Sequence, residues 1–282
     1  MMKPAGAPAV AREFCFGDED FRAIRALIHE HAGIALADGK RDMVYSRLAR
    51  RLRALQLDDF AAYLRLLRTN KSEWPLFVNA LTTNLTAFFR EPHHFQVLRD
   101  SARHWPQRPL RIWCAACSTG EEAYSIAMTL ADLFGDDVPL RILATDIDTQ
   151  VLAQAQQGVY PLERMAELPD PALQRFFFRG CGSRAGWVRV KPALRGLITF
   201  RQLNLQQANW PLRGAFDAIF CRNVMIYFDK PTQYRILRKF APLMRADSLL
   251  FAGHAESFPH AADLFRPQGR TVYALAQPRR PG

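Results

Sequence analysis

The sequence predicts an α/β protein: a doubly wound sheet carrying a small antiparallel β insertion, preceded by a small all-α domain. Three observations carry this. From residue 110 onward, short β-prone runs alternate with stretches of helical periodicity, the pattern of strands joined by crossover helices. Before residue 70 only the helical period occurs. Between Gly158 and Phe200 the alternation breaks, and Gly180, Gly182 and Gly186 punctuate short β-prone pieces. The predicted units are a helical domain over 14–70, a bridging helix and site segment over 71–90, and an α/β domain over 91–277 with its insertion at about 158–200.

Taken in order, Phe21, Ile24, Leu27 and Ile28 recur at helical spacing until Gly33 stops the pattern. A second helix fits Arg41 to Leu55. Val44, Leu48, Leu52 and Leu55 form its apolar stripe, while Arg47, Arg50, Arg51 and Arg53 occupy the rest of its surface. A third short helix fits Phe60 to Leu67, and a bridging helix lies around Trp74 to Leu81. The polar run Thr82 to Thr86 and the segment Phe88 to Pro92 follow. Strand Leu110–Cys114 then leads through a turn of small residues into helix Glu121–Phe134. Strand Leu140–Thr145 and helix Thr149–Gln157 come next. The insertion supplies Trp187–Val190 and Leu197–Phe200. Strand Phe216–Phe220, a helix near Thr232–Leu243, strand Ser248–Ala252 and strand Val272–Leu275 complete a sheet predicted to be parallel.

The 282 residues are 49% hydrophobic and 23% charged, enough apolar material for a sizeable core and too much for wholesale disorder. No apolar run approaches the roughly 20 residues that span a bilayer. The Ala/Pro-rich start, Met1 to Arg12, lacks the apolar stretch of a secretion signal and reads as a loose tail on a cytoplasmic protein. The net charge is +11, with 32 Arg and 6 Lys, and it is unevenly placed. Lys40 to Arg53 holds six basic residues and one acidic, and Arg164 to Arg213 holds nine and two. Leu110 to Glu163 holds two basic and eight acidic. This layout favours a cationic ligand in the middle and an anionic macromolecule at the edges. Five cysteines argue against a disulfide framework. The lone CxxC of Cys114 and Cys117 has no second pair to complete a metal site, so it reads as small residues closing a strand and forming a turn.

In a doubly wound sheet, ligands bind beyond the carboxyl ends of the strands. Four segments converge there. The first is the turn Ala115 to Glu122, whose small residues let the backbone approach a ligand closely. The second is Asp146, an acid placed to accept both hydroxyls of a ribose. The third is Asn204-Leu205, suited to the edge and face of an adenine. The fourth is Cys221-Arg222-Asn223. Glu121 and Glu122 at a helix start would repel a pyrophosphate and suit a cationic cofactor such as S-adenosylmethionine. The alternative for the pair is that they complement the helix dipole, with Glu121 the more structural. The strand end CRNVMIYF lacks an Asn/Asp-Pro-Pro-aromatic tetrapeptide, and no Pro-Cys nucleophile is present. Both absences count against a nucleic-acid methyltransferase despite the charge.

The ordered segments LTTNLTAFFREPHHF, STGEEAYSIAMTLAD, ILATDID and FCRNVMIYFD resemble the CheR family of chemotaxis receptor methyltransferases, over about 14–276. One departure is Ala123, where many relatives are expected to carry Pro; it affects only the start of a helix. The resemblance implies the S-adenosylmethionine-dependent methyltransferase fold and methyl esterification of glutamate side chains on chemoreceptors. It implies a cofactor pocket of Asn84, Thr86, Arg90, Glu122, Asp146, Asn204, Leu205, Cys221 and Arg222, with no metal. Arg90 and Tyr227 would lie nearest the chemistry.

A glutamate carboxylate, with a reference pKa of about 4.3, is already ionised at neutral pH and needs no general base. Catalysis then reduces to alignment and desolvation. Arg90 and Tyr227 are the candidates to orient the substrate carboxylate or the cofactor beside it. The alternatives are that Arg90 pairs with Glu91 or the cofactor carboxylate, and that Tyr227 is a packed aromatic. Arg47, Arg50, Arg51 and Arg53 are candidates to dock on the acidic helical bundle of the receptor, the alternative being a solvated helix face. The insertion resembles the part that, in some relatives, pairs by strand addition with a peptide at the receptor's C-terminus. His93, His94 and His254 read as structural rather than metal-binding or acid–base groups, and Phe176-Phe177-Phe178 as local core. The expected molecule is a monomer that meets the membrane only through its receptor. A docking scaffold without turnover and an RNA methyltransferase remain the competing readings.

Overall fold

The computed structural model describes residues 13–106, 109–135 and 139–276. The Ala/Pro-rich start up to Arg12 and residue 277, the predicted end of the α/β domain, lie outside them. No helix among these residues is long and apolar enough to cross a membrane.

The helical region contains α1 (Asp18–Ala32), α2 (Arg41–Leu55), α3 (Phe60–Thr69) and α4 (Glu73–Leu81). Asp18, Glu19 and Asp20 complement the dipole at the start of α1, and Gly33, at φ 73°, ends it in the left-handed region. Asp59 caps α3 by accepting from Ala62 N at 2.6 Å. The apolar stripes meet in one core that includes Ile24, Ile28, Val44, Leu48, Leu52, Phe60, Tyr63 and Phe77. Arg51 of α2 reaches across this core. Its guanidinium makes two 2.8 Å bonds to the carboxylate of Glu73, which also accepts from Tyr63 Oη at 2.9 Å.

The second region opens with α5 (His93–Ala102) and continues as β1 (Leu110–Ala115), α6 (Glu121–Phe134), β2 (Leu140–Asp146) and α7 (Thr149–Gln157). It then runs through β3 (Val159–Pro161), α8 (Asp170–Phe176), β4 (Phe177–Arg179), β5 (Trp187–Val190), α9 (Pro192–Arg195) and β6 (Ile198–Gln202). It ends with β7 (Phe216–Phe220), α10 (Lys230–Phe240), β8 (Met244–Phe251), β9 (Phe265–Gly269) and β10 (Val272–Leu275). The main sheet has the order β6-β2-β1-β7-β8-β10-β9. The chain leaves β1 toward β2 and later returns to β7 on the other side of β1, so the strand order reverses there and a crevice opens.

Two expectations are corrected. Leu197–Phe200 does not belong to the insertion: as β6 it is the edge of the main sheet, paired parallel to β2 from Ile142–Ile198 to Asp146–Gln202. Nor is the sheet wholly parallel, because β10 runs antiparallel to both β8 and β9. β9 was not foreseen: it contains Pro267 and Gly269 and lies mostly exposed at an edge, where a missing ladder donor costs little. The insertion proper is an antiparallel sheet of order β3-β5-β4. Its aromatic run divides, with Phe176 and Phe177 buried but Phe178 54% exposed beside the half-exposed Trp187.

Candidate active site

A cavity of about 370 Å³ lies beyond the carboxyl ends of β1, β2 and β7. Its floor comes from the α/β domain: Ala116, Ser118, Glu122, Asp146, Ile147, Asn204, Leu205 and Arg222. Its roof comes from the helical region and the segment after it, residues 32–43 and 81–86 in part. Hydrogen bonds join the two halves. Ala35 N donates to Tyr227 O at 2.8 Å, Asn204 Nδ2 to His31 O at 2.7 Å, and Thr82 Oγ1 to Asp148 Oδ2 at 2.7 Å.

The turn after β1 explains its small residues. Ala116 and Ser118 both have positive φ, and Ala116 N and Cys117 N both donate to Thr145 O at 2.8 Å. Gly120, at φ 97°, starts α6; a Cβ there would lie 2.8 Å from Ala155 Cβ. Ser118 N points at Asp146 Oδ2, 2.8 Å away, and Asp148 N bonds Oδ1 at 3.0 Å. Burial raises the Asp146 carboxyl to about 6 against the pull of these N–H groups. The two glutamates separate as expected. Glu121 is fully buried, held by Arg164 and Thr119 at 2.6 Å each. Glu122 lines the cavity and accepts from Arg222 Nη1 at 2.7 Å and from Cys114 Sγ at 3.1 Å.

Arg222 is the hub behind this wall. Its buried guanidinium bonds Glu122, donates to Arg90 O at 2.5 Å, and lies 3.4 Å from Glu91 Oε2. Glu91 also accepts from the backbone of His254 at 3.2 Å and has that ring's Nδ1 at 3.0 Å. Burial pushes its carboxyl up, but His254, Arg222 and Asn223 outweigh this and hold it at about 2. His94 is fully buried, with Nε2 at 2.9 Å from Arg270 O. Burial, reinforced by the charge of Arg222, lowers its pKa to about 4. Ligand atoms of Glu91, His93 and His94 lie within 4.8 Å of one another, a grouping that the sequence reading did not foresee.

Of the residues predicted from sequence, Asn84, Thr86, Arg90, Glu122, Asp146, Asn204, Leu205, Arg222 and Tyr227 all line this cavity. Cys221 does not. It is fully buried in the apolar core of the opposite sheet face, because successive side chains alternate and Arg222 takes the cavity side. Two asparagines are already spent: Asn84 Nδ2 bonds Asp148 at 2.8 Å, and Asn204 uses its amide on His31 O and Gln206 N. Arg90 bonds Leu85 O at 3.0 Å rather than Glu91. Of the four arginines on α2, Arg51 is committed to Glu73, Arg47 bonds Thr82 O at 2.5 Å, and Arg53 pairs with Glu13. Arg50 is exposed. Sequence reasoning missed Lys40 and Ile34 to Ala37 in the roof, and Asp148 as the anchor of Thr82 and Asn84. Only the acidic residue capping the start of a predicted helix hinted at Asp148.

Comparison with known proteins follows the same division. Residues 19–82 match the CheR methyltransferase all-alpha domain, and residues 84–274 match the CheR methyltransferase SAM binding domain. The chain belongs to the CheR methyltransferase family. Within it, the chain is 56% identical over 268 residues to chemotaxis protein methyltransferase 2 of Pseudomonas aeruginosa, covering 94% of this chain and 96% of the relative. It is 53% identical over 272 residues to the chemotaxis protein methyltransferase of Escherichia coli, covering 95% and 94%. It is 52% identical over 282 residues to that of Salmonella typhimurium, covering 97% of each.

For a CheR-family chain, the residues present fit S-adenosylmethionine. Asp146 ends β2, nearly buried, where a ribose diol would donate to it. The half-buried Glu122 brings negative charge to the wall nearest Arg222, and Ile147 and Leu205 offer apolar faces. The chain is thus an S-adenosylmethionine-dependent methyltransferase.

Proposed function

We propose that this protein methylates glutamate side chains on the cytoplasmic helices of chemoreceptors, forming esters. The observation that carries the reading is one cavity that holds Asp146 and Glu122 together with Arg90 and Tyr227, rimmed by the exposed side chains of Leu85 and Ile226. The relatives named above are chemotaxis methyltransferases, which favours a chemoreceptor as partner. S-adenosylmethionine supplies an electrophilic methyl group and leaves as S-adenosylhomocysteine.

The chain's own residues do the rest. Asp146 anchors the ribose. Glu122, oriented by Arg222, faces positive charge. Arg90 and Tyr227 orient the incoming carboxylate, which is ionised at neutral pH and needs no base. The apolar rim excludes water around the reacting oxygen. Arg50 and Arg53, exposed on α2, meet acidic receptor helices, whereas Arg47 and Arg51 serve mainly to hold the helical domain together. The outer strand β4, with Phe178 exposed, is the edge at which a receptor C-terminal peptide would add as a strand. The protein acts in the cytoplasm, as a monomer, without nucleic acid.

The test is transfer of a radiolabelled methyl group from S-adenosylmethionine to purified receptor cytoplasmic fragments, followed by base release of methanol from the ester. Label in the receptor that base releases is expected. Folded, cofactor-binding protein that labels no receptor fragment would remove the reading.

A further inference from the structure

Glu256 lies in the loop after β8, outside the cavity, and is 4% exposed. Among the described residues its carboxylate has no ion-pair partner. It accepts four backbone N–H groups instead. Oε1 takes Met225 N at 2.7 Å and Ile226 N at 3.3 Å. Oε2 takes Asn223 N at 3.0 Å and Gly253 N at 2.5 Å. Three of these donors belong to the loop leaving β7, and the fourth to the loop leaving β8. Asn223, at φ 58°, adopts the left-handed conformation. A Cβ on Gly253 would lie 2.9 Å from the Asn223 backbone nitrogen and 2.3 Å from its side-chain Nδ2, so glycine lets the two loops approach this closely.

The loop held in this way ends in the short turn Met225–Tyr227. The N–H groups at the start of such a turn have no partner within it, and the carboxylate supplies one. From the other side, Tyr227 O is gripped by Ala35 N of the roof. Tyr227 therefore hangs from a turn pinned at both ends, with Glu256 as the pin inside the α/β domain.

We infer that Glu256 is a positioning residue for the methyl transfer, acting through Tyr227 by fixing the 223–227 loop with its carboxylate. This rests on the role given to Tyr227 above. A carboxylate suits the task because it offers two acceptor oxygens and no donor. Glutamine, nearly the same size, would turn an NH2 toward one pair of N–H donors. Aspartate would keep the charge but withdraw it by one methylene.

The test compares Glu256→Gln, Glu256→Asp, Tyr227→Phe and the Glu256→Gln/Tyr227→Phe double variant in the full chain. Both Glu256 variants should lose tenfold or more in kcat while the Kd for S-adenosylmethionine stays within about threefold. In the Tyr227→Phe background, Glu256→Gln should cost less than about twofold further. Amide exchange at 223–227 should quicken in the Glu256 variants with the central strands still protected. Unchanged kcat, an equal loss in both backgrounds, or unchanged exchange at 223–227 would each overturn the inference. A wild-type protein that methylates no receptor would instead remove the function proposed above, and the exchange measurement would still decide whether Glu256 holds the loop. If Glu256→Gln fails to fold, Glu256→Asp carries the same comparison.

Discussion

Asp146 and Arg90 illustrate what single residues contribute. In the proposed site the ribose hydroxyls would donate to Asp146, so binding would prefer its ionised form. With that carboxyl raised to about 6, cofactor affinity should fall as pH drops below about 6, by up to about tenfold per unit. Asp146→Asn should bind more weakly by about 1–3 kcal/mol and lose this dependence. Titration calorimetry between pH 5 and 8 checks both, and an unchanged slope in the variant would assign the effect elsewhere. Arg90→Ala should cut turnover tenfold or more with cofactor affinity preserved; loss of cofactor binding alone would make Arg90 a cofactor ligand. The cavity's charged wall was legible because acids and cations stand at the ends of recognisable strands. How Asn84 and Asn204 are used was not legible. Their partners Asp148 and His31 lie 64 and 173 residues away, and only the folded chain brings them together. The Cys221 side chain lies off the cavity for a local reason: at a strand end, one step decides between core and cavity.

Among the elements, α2 shows how one helix divides its work. Four arginines on one helix looked alike in sequence, yet their partners differ. Arg51→Ala would leave the buried Glu73 carboxylate without its cation and should destabilise the protein by about 3–5 kcal/mol. Arg50→Glu, on the exposed face, should shift stability by less than about 0.5 kcal/mol yet weaken receptor binding, most clearly at low salt. Denaturant unfolding and receptor pull-down at two ionic strengths separate the two, and equal destabilisation would contradict the division. The bounds of α2, α6 and α7 were readable because apolar periodicity runs from end to end between clear breaks. β6 was misplaced because its short pattern says strand but not which sheet. That choice is made by the parallel register with β2.

At the scale of the whole molecule, buried titrating groups pull stability in opposite directions. His94, lowered to about 4, binds fewer protons folded than unfolded, so its contribution is lost as pH falls from 6.5 to 4. Asp146, raised to about 6, binds more protons folded, so its contribution grows as pH falls over nearly the same window. The two oppose each other over that window. Below about 4.5, where Glu91 at about 2 begins to lose its advantage, stability should fall. His94→Gln should gain stability relative to its own pH 7 value as pH drops to 4, by roughly 2 kcal/mol, and Asp146→Asn should lose a similar amount. Denaturant titrations at several pH values check the sign, and parallel curves for the two variants would refute it. The cavity's ceiling and floor come from different domains, stitched by Ala35 to Tyr227 and Asn204 to His31. A molecule filling it is therefore mortar as well as reagent. The product, which fills most of the same space, keeps the two halves glued after the methyl group has gone. Each new round of transfer then requires that seam to part and let the spent molecule go.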